Sequence, residues 1–258
     1  VGLTPSKGMR KGQIINVAEA TDAIRESIAG AAASSGVKPA QVFMSINGSH
    51  IASQNSQGAV AIGRGDQGAT YDDINRALES AQAITVPNNR EILHVVPRHF
   101  RVDEQDGVRN PVGMLGFRLE VQAHIITCAT TAMQNQLKCA HGADLDVAEF
   151  VLTPLASAEA VLTPTEREMG VVLVDIGGGT AGIAVFIEGA AWHTKVLDVG
   201  GANFTSDLAQ VLQLPMETAE QLKVTYGHAS PMEVPGDQVC DIAGFGDEPR
   251  MRVSRREA

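Results

Sequence analysis

The chain has 258 residues, 44% of them hydrophobic and 4% aromatic, and a formal net charge of −10. That length can bury a core for one large domain or two modest ones, and a composition dominated by Ala, Val, Ile and Gly suits α/β layers better than an all-β sandwich. The acidic balance argues against nucleic acid as a partner, because it supplies no general neutralisation of phosphate, and no apolar run is long enough to span a bilayer.

Cys128, Cys139 and Cys240 are far apart and form no CxxC pair. Cys128 and Cys139 fall in apolar and helical surroundings and read as small buried hydrophobes. Free thiols without a secretory signal point to the cytoplasm. The chain opens Val-Gly-Leu-Thr-Pro without an initiator Met and closes on the charged stretch Arg250–Ala258, so it reads as a fragment.

In chain order, Asn16–Ser35 places Ala20, Ile24, Ile28 and Ala31 at helical spacing, and Gly36 stops it. Val42–Ile46 reads as a strand closed by Asn47-Gly48, and Gly58–Ile62 as a second short strand. After the Gly-rich loop Gly63–Gly68, a helix is expected over Tyr71–Ile84, a turn over Val86–Arg90 and a strand over Ile92–Val96. Phe100–Val102 reads as a short edge strand and Asp103–Asn110 as a polar loop, followed by a long strand over Phe117–Thr127 that is partly buried on both faces. Ala129–Ala140 is helical, Ala148–Leu152 a strand, and Pro154–Leu162 a helix with proline in its first turn. Val171–Asp175, Gly182–Ile187 and Trp192–Val199 are three strands with tight turns. Helices over Asn203–Leu212 and Pro215–Tyr226 follow, and Asp237–Ala258 has little periodicity. The pattern divides into a smaller α+β module over about residues 11–115 and a larger α/β body over about 116–258.

The chemistry is carried by Asp175-Ile176-Gly177-Gly178-Gly179-Thr180, which follows an apolar strand. Consecutive glycines let backbone N–H groups approach an anion and adopt positive φ, making a phosphate nest. Asp175 is placed to hold hydrated Mg²⁺ beside those phosphates, and Thr180 adds a hydroxyl donor. A Walker loop needs GK[ST] and a helix, and a dinucleotide fingerprint needs GxGxxG opening a helix. Here the glycines open into another strand, which makes a β-hairpin phosphate loop; an ordinary glycine hairpin is the alternative. Gly200-Gly201 precedes a helix, where free N–H groups and the positive dipole end suit phosphate, or where a tight turn is simply capped by Asn203 or Thr205. Glu220 and Lys223 share a helix face and suit ribose hydroxyls, or form a surface ion pair. No histidine pair has metal-ligand spacing, so no metal is expected beyond nucleotide-bound Mg²⁺.

These three elements in this order resemble the second half of the nucleotide site of the actin, Hsp70 and sugar-kinase superfamily. Val1–Gly12, Ser45–Gly58, Glu91–Pro97, Asn110–Gly116, Pro154–Leu162 and His193–Asp198 narrow the resemblance to the bacterial FtsA cell-division family. The resemblance implies an α/β, actin-like (ribonuclease H-like) ATPase core, incomplete here, with an inserted α+β subdomain of the FtsA/SHS2 type. It implies the end of a first actin-like subdomain strand over 1–10, the inserted subdomain over 11–115, the remainder of the first subdomain over 116–165 and the start of the second over 166–258. It further implies nucleotide binding by Asp175, Gly177, Gly178, Gly179, Thr180, Gly200, Gly201, Glu220 and Lys223, with Mg²⁺ reached from Asp175 through nucleotide and water. Glu159 sits near where the superfamily often orients the attacking water, or is a plain helix-surface glutamate. Family members bind ATP, assemble into actin-like filaments at the inner face of the membrane at the division site, recruit FtsZ and attach through a C-terminal amphipathic helix.

The chain departs from the family in three ways. A first phosphate hairpin is expected upstream of Val1; an adenosine-contacting glycine loop, the subdomain that takes the FtsZ tail and the membrane helix are expected beyond Ala258. The chain as given should therefore bind ATP poorly and not bind membrane. The family's GGGT-x-Asp reads GGGT-Ala181-Gly182 here, which predicts weak ATP turnover at most. A sugar-kinase-like phosphotransferase and a pilus-assembly scaffold are the alternatives.

Overall fold

The computed structural model describes residues 1–63, 68–84, 86–242 and 251–256. Its elements are β1 (Met9–Arg10), β2 (Gln13–Ile14), α1 (Val17–Ser35), β3 (Gln41–Ile46), β4 (Ile51–Ala61), α2 (Tyr71–Gln82), β5 (Arg90–Val102), β6 (Gln105–Val108) and β7 (Arg118–Ala129). They continue with α3 (Thr130–Gly142), β8 (Asp146–Leu152), α4 (Thr153–Val161), α5 (Pro164–Met169), β9 (Val171–Ile176), β10 (Ala181–Ile187), β11 (Ala190–Leu197), α6 (Gly201–Val211), α7 (Met216–Tyr226), β12 (Val239–Ile242) and β13 (Met251–Ser254). The chain divides into two compact units, the first holding residues 1–175 and 181–198 and the second residues 176–180 and 199–258.

The first unit holds a four-stranded sheet in the order β4-β7-β5-β6, with β7 antiparallel to both β4 and β5. One face packs against α2, where Ala77 and Ala81 meet Leu119, Val121, Ala123 and Phe100. The helix lies so close that a Cβ on Gly58 would stand 2.0 Å from the Ala77 carbonyl oxygen, so the strand needs glycine there. A second cluster gathers Ile46, Ile51, Ile126, Cys128 and Leu152 around Val196. Parallel β3 and β8 form a separate pair, and β11-β10-β9 a three-stranded sheet. At the start, the Asn16 side chain accepts from the N–H groups of Ala18 and Glu19 and caps α1, and Gly36 ends it at φ 74°.

The second unit packs α6 and α7 with the β12–β13 hairpin around Leu214, Ala219, Leu222, Cys240 and Val253. All three cysteines are buried and free.

Several elements differ from the sequence reading. β4 begins at Ile51, because the polar run Ser53–Gln57 pairs residue for residue with β7. Ile92–Val96 and Phe100–Val102 are one strand, in which the ladder slips at Pro97/His99, the place where proline cannot donate. The polar loop holds β6, α5 was not expected, and the aperiodic tail holds β12 and β13. The Gly63–Gly68 loop lies partly outside the described residues.

Candidate functional site

In the second unit, residues Gly177–Thr180 form a tight turn in which the Gly177 N–H donates to the Thr180 carbonyl at 2.9 Å. None of the three glycines lies in the left-handed region, against the expectation of positive φ. What glycine supplies here is the missing side chain: a Cβ on Gly178 would meet nothing within 4 Å, so its backbone is open to an approaching group. The N–H groups of Gly178 and Gly179 make no hydrogen bond among the described residues. Thr180 is buried.

The N-terminus of α6 abuts this turn. Gly201 N–H donates to the Gly177 carbonyl at 2.9 Å, and Ala202 N–H to the Gly178 carbonyl at 2.7 Å. The Gly201 amide, expected to face phosphate, is therefore engaged by the loop together with that of Ala202, and the open donors belong to the loop itself. Gly200 is obligatory for this approach, since a Cβ there would stand 2.5 Å from the Gly177 carbonyl oxygen. The Asn203 side chain accepts from Gly200 N–H at 3.0 Å, completing the cap that the sequence offered as an alternative role for this turn.

Glu220 and Lys223 on α7 belong to the same network. Lys223 Nζ donates to the Gly201 carbonyl at 3.1 Å, to Thr205 Oγ1 at 2.9 Å and to Glu220 Oε2 at 2.7 Å, while the Thr205 hydroxyl also donates to Glu220. The pair is thus more than a solvated i,i+3 contact: it ties α7 to the first turn of α6. The Lys223 ammonium and then the Thr205 hydroxyl hold the Glu220 carboxyl below its ordinary pKa. A recess of about 420 Å³ beside Lys223 is bounded by Phe204, Leu208 and Val211 of α6 and by Gly227.

In the first unit, Asp175 at the end of β9 accepts a hydrogen bond from Ser157 Oγ of α4 at 2.5 Å. Sequence reasoning missed Ser157; its signal was that, with Glu159, it is one of two polar residues in the stretch Pro154–Leu162. Glu159, also on α4, pairs with Arg167 Nη1 at 2.7 Å, and Arg167 is anchored on the Ala158 carbonyl. Gly182 is buried against the Pro154 ring, whose Cγ and Cδ would stand 3.1 Å from a Cβ at 182. Among the described residues no group of three or more His, Cys, Asp or Glu side chains is placed to hold a metal.

A family model described as the SHS2 domain inserted in FtsA matches residues 48–127, and one described as cell division protein FtsA matches residues 172–258. The cell division protein FtsA of Pseudomonas aeruginosa is 40% identical over 256 residues, which cover 99% of this chain and 61% of that protein. The FtsA of Neisseria meningitidis is 41% identical over 256 residues, with the same shares. A solved structure described as the PilM-PilN type IV pilus biogenesis complex matches with a TM-score of 0.64 at 18% identity, covering 87% of this chain and 61% of that one. The chain spans about three-fifths of the length of the curated relatives it matches. The fold is the mixed α/β, actin-like type with an inserted SHS2 domain that the family resemblance implied.

Proposed function

Because this chain belongs to the FtsA family of cell-division proteins, we propose that it carries part of the nucleotide site of a cytoskeletal adaptor of the division septum. In this reading the Gly178 and Gly179 amides and Thr180 receive phosphate, and Glu220 and Lys223 take the ribose. Gly200 and Gly201 hold the loop against α6. Asp175, oriented by Ser157, reaches Mg²⁺ through water. Bound ATP supplies polyanionic charge and a conformational signal, and the protein uses it to control assembly rather than turnover. Glu159 is held by Arg167, and we give it no part in hydrolysis.

The whole protein, in this reading, assembles into actin-like filaments, links FtsZ to the inner face of the membrane and takes its membrane contact from a C-terminal helix. The observation that carries the proposal is the closed network of glycine loop, α6 N-terminus, Thr205, Glu220 and Lys223. It leaves the two loop amides as open donors, while Lys223 holds the first turn of α6 to which the loop is fastened.

The test uses the full-length protein and a fluorescent ATP analogue. Lys223→Ala is expected to weaken binding about tenfold or more, the scale of a lost hydrogen bond to a charged group. Unchanged affinity in a folded variant would remove the nucleotide role of this cluster. Co-pelleting of the same protein with FtsZ filaments tests the adaptor role, and its absence would count against that half of the proposal.

A further inference from the structure

A recess of about 180 Å³ in the first unit is lined by Gly12, Gln13, His50, Thr131, Ala132 and Asn135. It lies over the N-terminus of α3, a helix of 13 residues that no side-chain hydrogen bond caps. The Thr130 N–H donates to the Asn89 carbonyl, but the following two amides fall among those an α-helix cannot satisfy internally, and both residues line the recess. A helix start of this kind favours negative charge.

His50 supplies an independent observation. The residue is 8% exposed, and neither ring nitrogen has a hydrogen-bond partner among the described residues. A buried imidazole with both nitrogens unpaired carries a desolvation cost that a hydrogen-bonding ligand would offset. The ring is hemmed in, because a Cβ on Gly48 would stand 2.6 Å from its Nδ1. Burial first and then the Arg90 guanidinium push its pKa down, with Asp198 acting the other way. Arg90 also donates to the His50 carbonyl at 3.0 Å, which fixes that charge beside the residue.

We propose that this recess is a binding site for a small oxyanion of the phosphate type, held by the α3 N-terminal amides, His50 and the polar side chains of Asn135 and Gln13. The site is built wholly from the first unit and does not depend on the nucleotide reading of the glycine loop. Its ligand is either free inorganic phosphate or the terminal phosphate of a nucleotide, since both present the same oxygens. An anion there favours the protonated imidazole, so binding takes up a proton at His50 and tightens as pH falls toward the value of the free ring, which burial holds below the ordinary histidine value.

The experiment is a titration of the 258-residue chain, with its histidine ring nitrogens isotopically labelled, against inorganic phosphate at constant ionic strength, with chloride as the control. A second arm uses ATP. The expected result is a saturable shift of the His50 ring signals in one or both arms, with a Kd of about 1 mM or tighter. Measured by titration calorimetry, which needs no ring signal, His50→Ala and, separately, Asn135→Ala should weaken that binding about tenfold. His50→Gln, which keeps one donor and one acceptor, guards against a folding defect and should weaken it less. A shift with phosphate alone assigns the free anion, and a shift with ATP alone assigns the nucleotide. No saturable shift in either arm, or binding that survives both the His50→Ala and Asn135→Ala changes, would overturn the proposal.

Discussion

At the scale of single residues, two glycines carry opposite lessons. Gly200 stands where any side chain would drive into the backbone of the facing loop, 2.5 Å from the Gly177 oxygen. Backbone cannot step aside as a flexible side chain can, so Gly200→Ala is expected to cost about 1–3 kcal/mol, read as a lower urea midpoint at unchanged slope. Gly182 faces a proline ring at 3.1 Å, a neighbour that can yield. A carboxylate introduced here therefore has to displace Pro154 as well as lose solvent. Gly182→Asp should destabilise the chain less in a Pro154→Ala background than in the native one, with a coupling of about 0.5–3 kcal/mol. Additive effects in that double-mutant cycle would separate the two positions. ATP hydrolysis by a full-length Gly182→Asp protein is best measured in both backgrounds, since in the native one the new carboxylate is crowded. The family resemblance implied a carboxylate at position 182; the sequence could not show that the space beside Gly182 is taken by Pro154, because that pairing is 28 positions away.

At the scale of elements, His124 of β7 joins two sheets of the first unit. Its Nδ1 lies 2.7 Å from Asn55 Oδ1 on β4 and its Nε2 3.0 Å from Thr194 Oγ1 on β11. An Asn oxygen only accepts, so this pairing calls for a proton on Nδ1. Burial first, then His193 and Arg98, lower its pKa to about 4. The unfolded chain takes up a proton near 6.5 that the folded chain refuses until about 4. Stability from this site is therefore full above pH 6.5 and falls as pH drops from there toward 4. His50 and His94 are shifted in the same direction by burial. Urea unfolding at pH 7 and pH 5 should show the loss, and His124→Gln should make the dependence shallower; an equal dependence in the variant would exclude His124 as its source.

The elements that the sequence revealed are those with one face in a core and one in solvent, α1, α2, α3 and β3, which carry the periodicity expected of them, and β7, whose apolar run marks a strand buried on both faces. β4 hid behind Ser53, Gln54, Asn55, Ser56 and Gln57, whose polar side chains serve specific bonds, among them Ser53 to the Thr194 carbonyl, Ser56 to the Ala81 carbonyl and Asn55 to His124. Hydrophobic alternation cannot mark a strand whose side chains are used that way. β12 and β13 went unseen because each is only four residues long and is stabilised by pairing with the other. For the candidate site, glycine spacing and the Glu220–Lys223 interval were legible. The engagement of the α6 amides by the loop was not, because it depends on how closely two backbones approach.

At the scale of the molecule, the net charge of −10 opposes self-association, and one surface favours it. Val172 and Val174 on β9 are 59% and 51% exposed on a common face, and among the described residues β9 is the edge of its three-stranded sheet. An apolar edge of this kind invites strand pairing between copies. The chain is expected to show concentration-dependent association in light scattering that Val172→Thr with Val174→Thr reduces, threonine keeping the β preference of the strand. Association unchanged by the double substitution would place the sticky surface elsewhere. Because the chain covers about three-fifths of its relatives, the same measurement on a longer chain tests whether further residues cover that strand.

The two hydrogen bonds from Gly201 and Ala202 into the glycine loop have a mechanical consequence. A loop whose carbonyls are fastened to the leading amides of a helix cannot shift without drawing that helix along its axis or breaking the bonds. Lys223 grips the same first turn from α7, so the displacement would be relayed to a second helix. The Ala202 amide is thus a built-in strain gauge: its hydrogen-exchange rate should report, from inside the unit, whether the loop is slack or pulled taut.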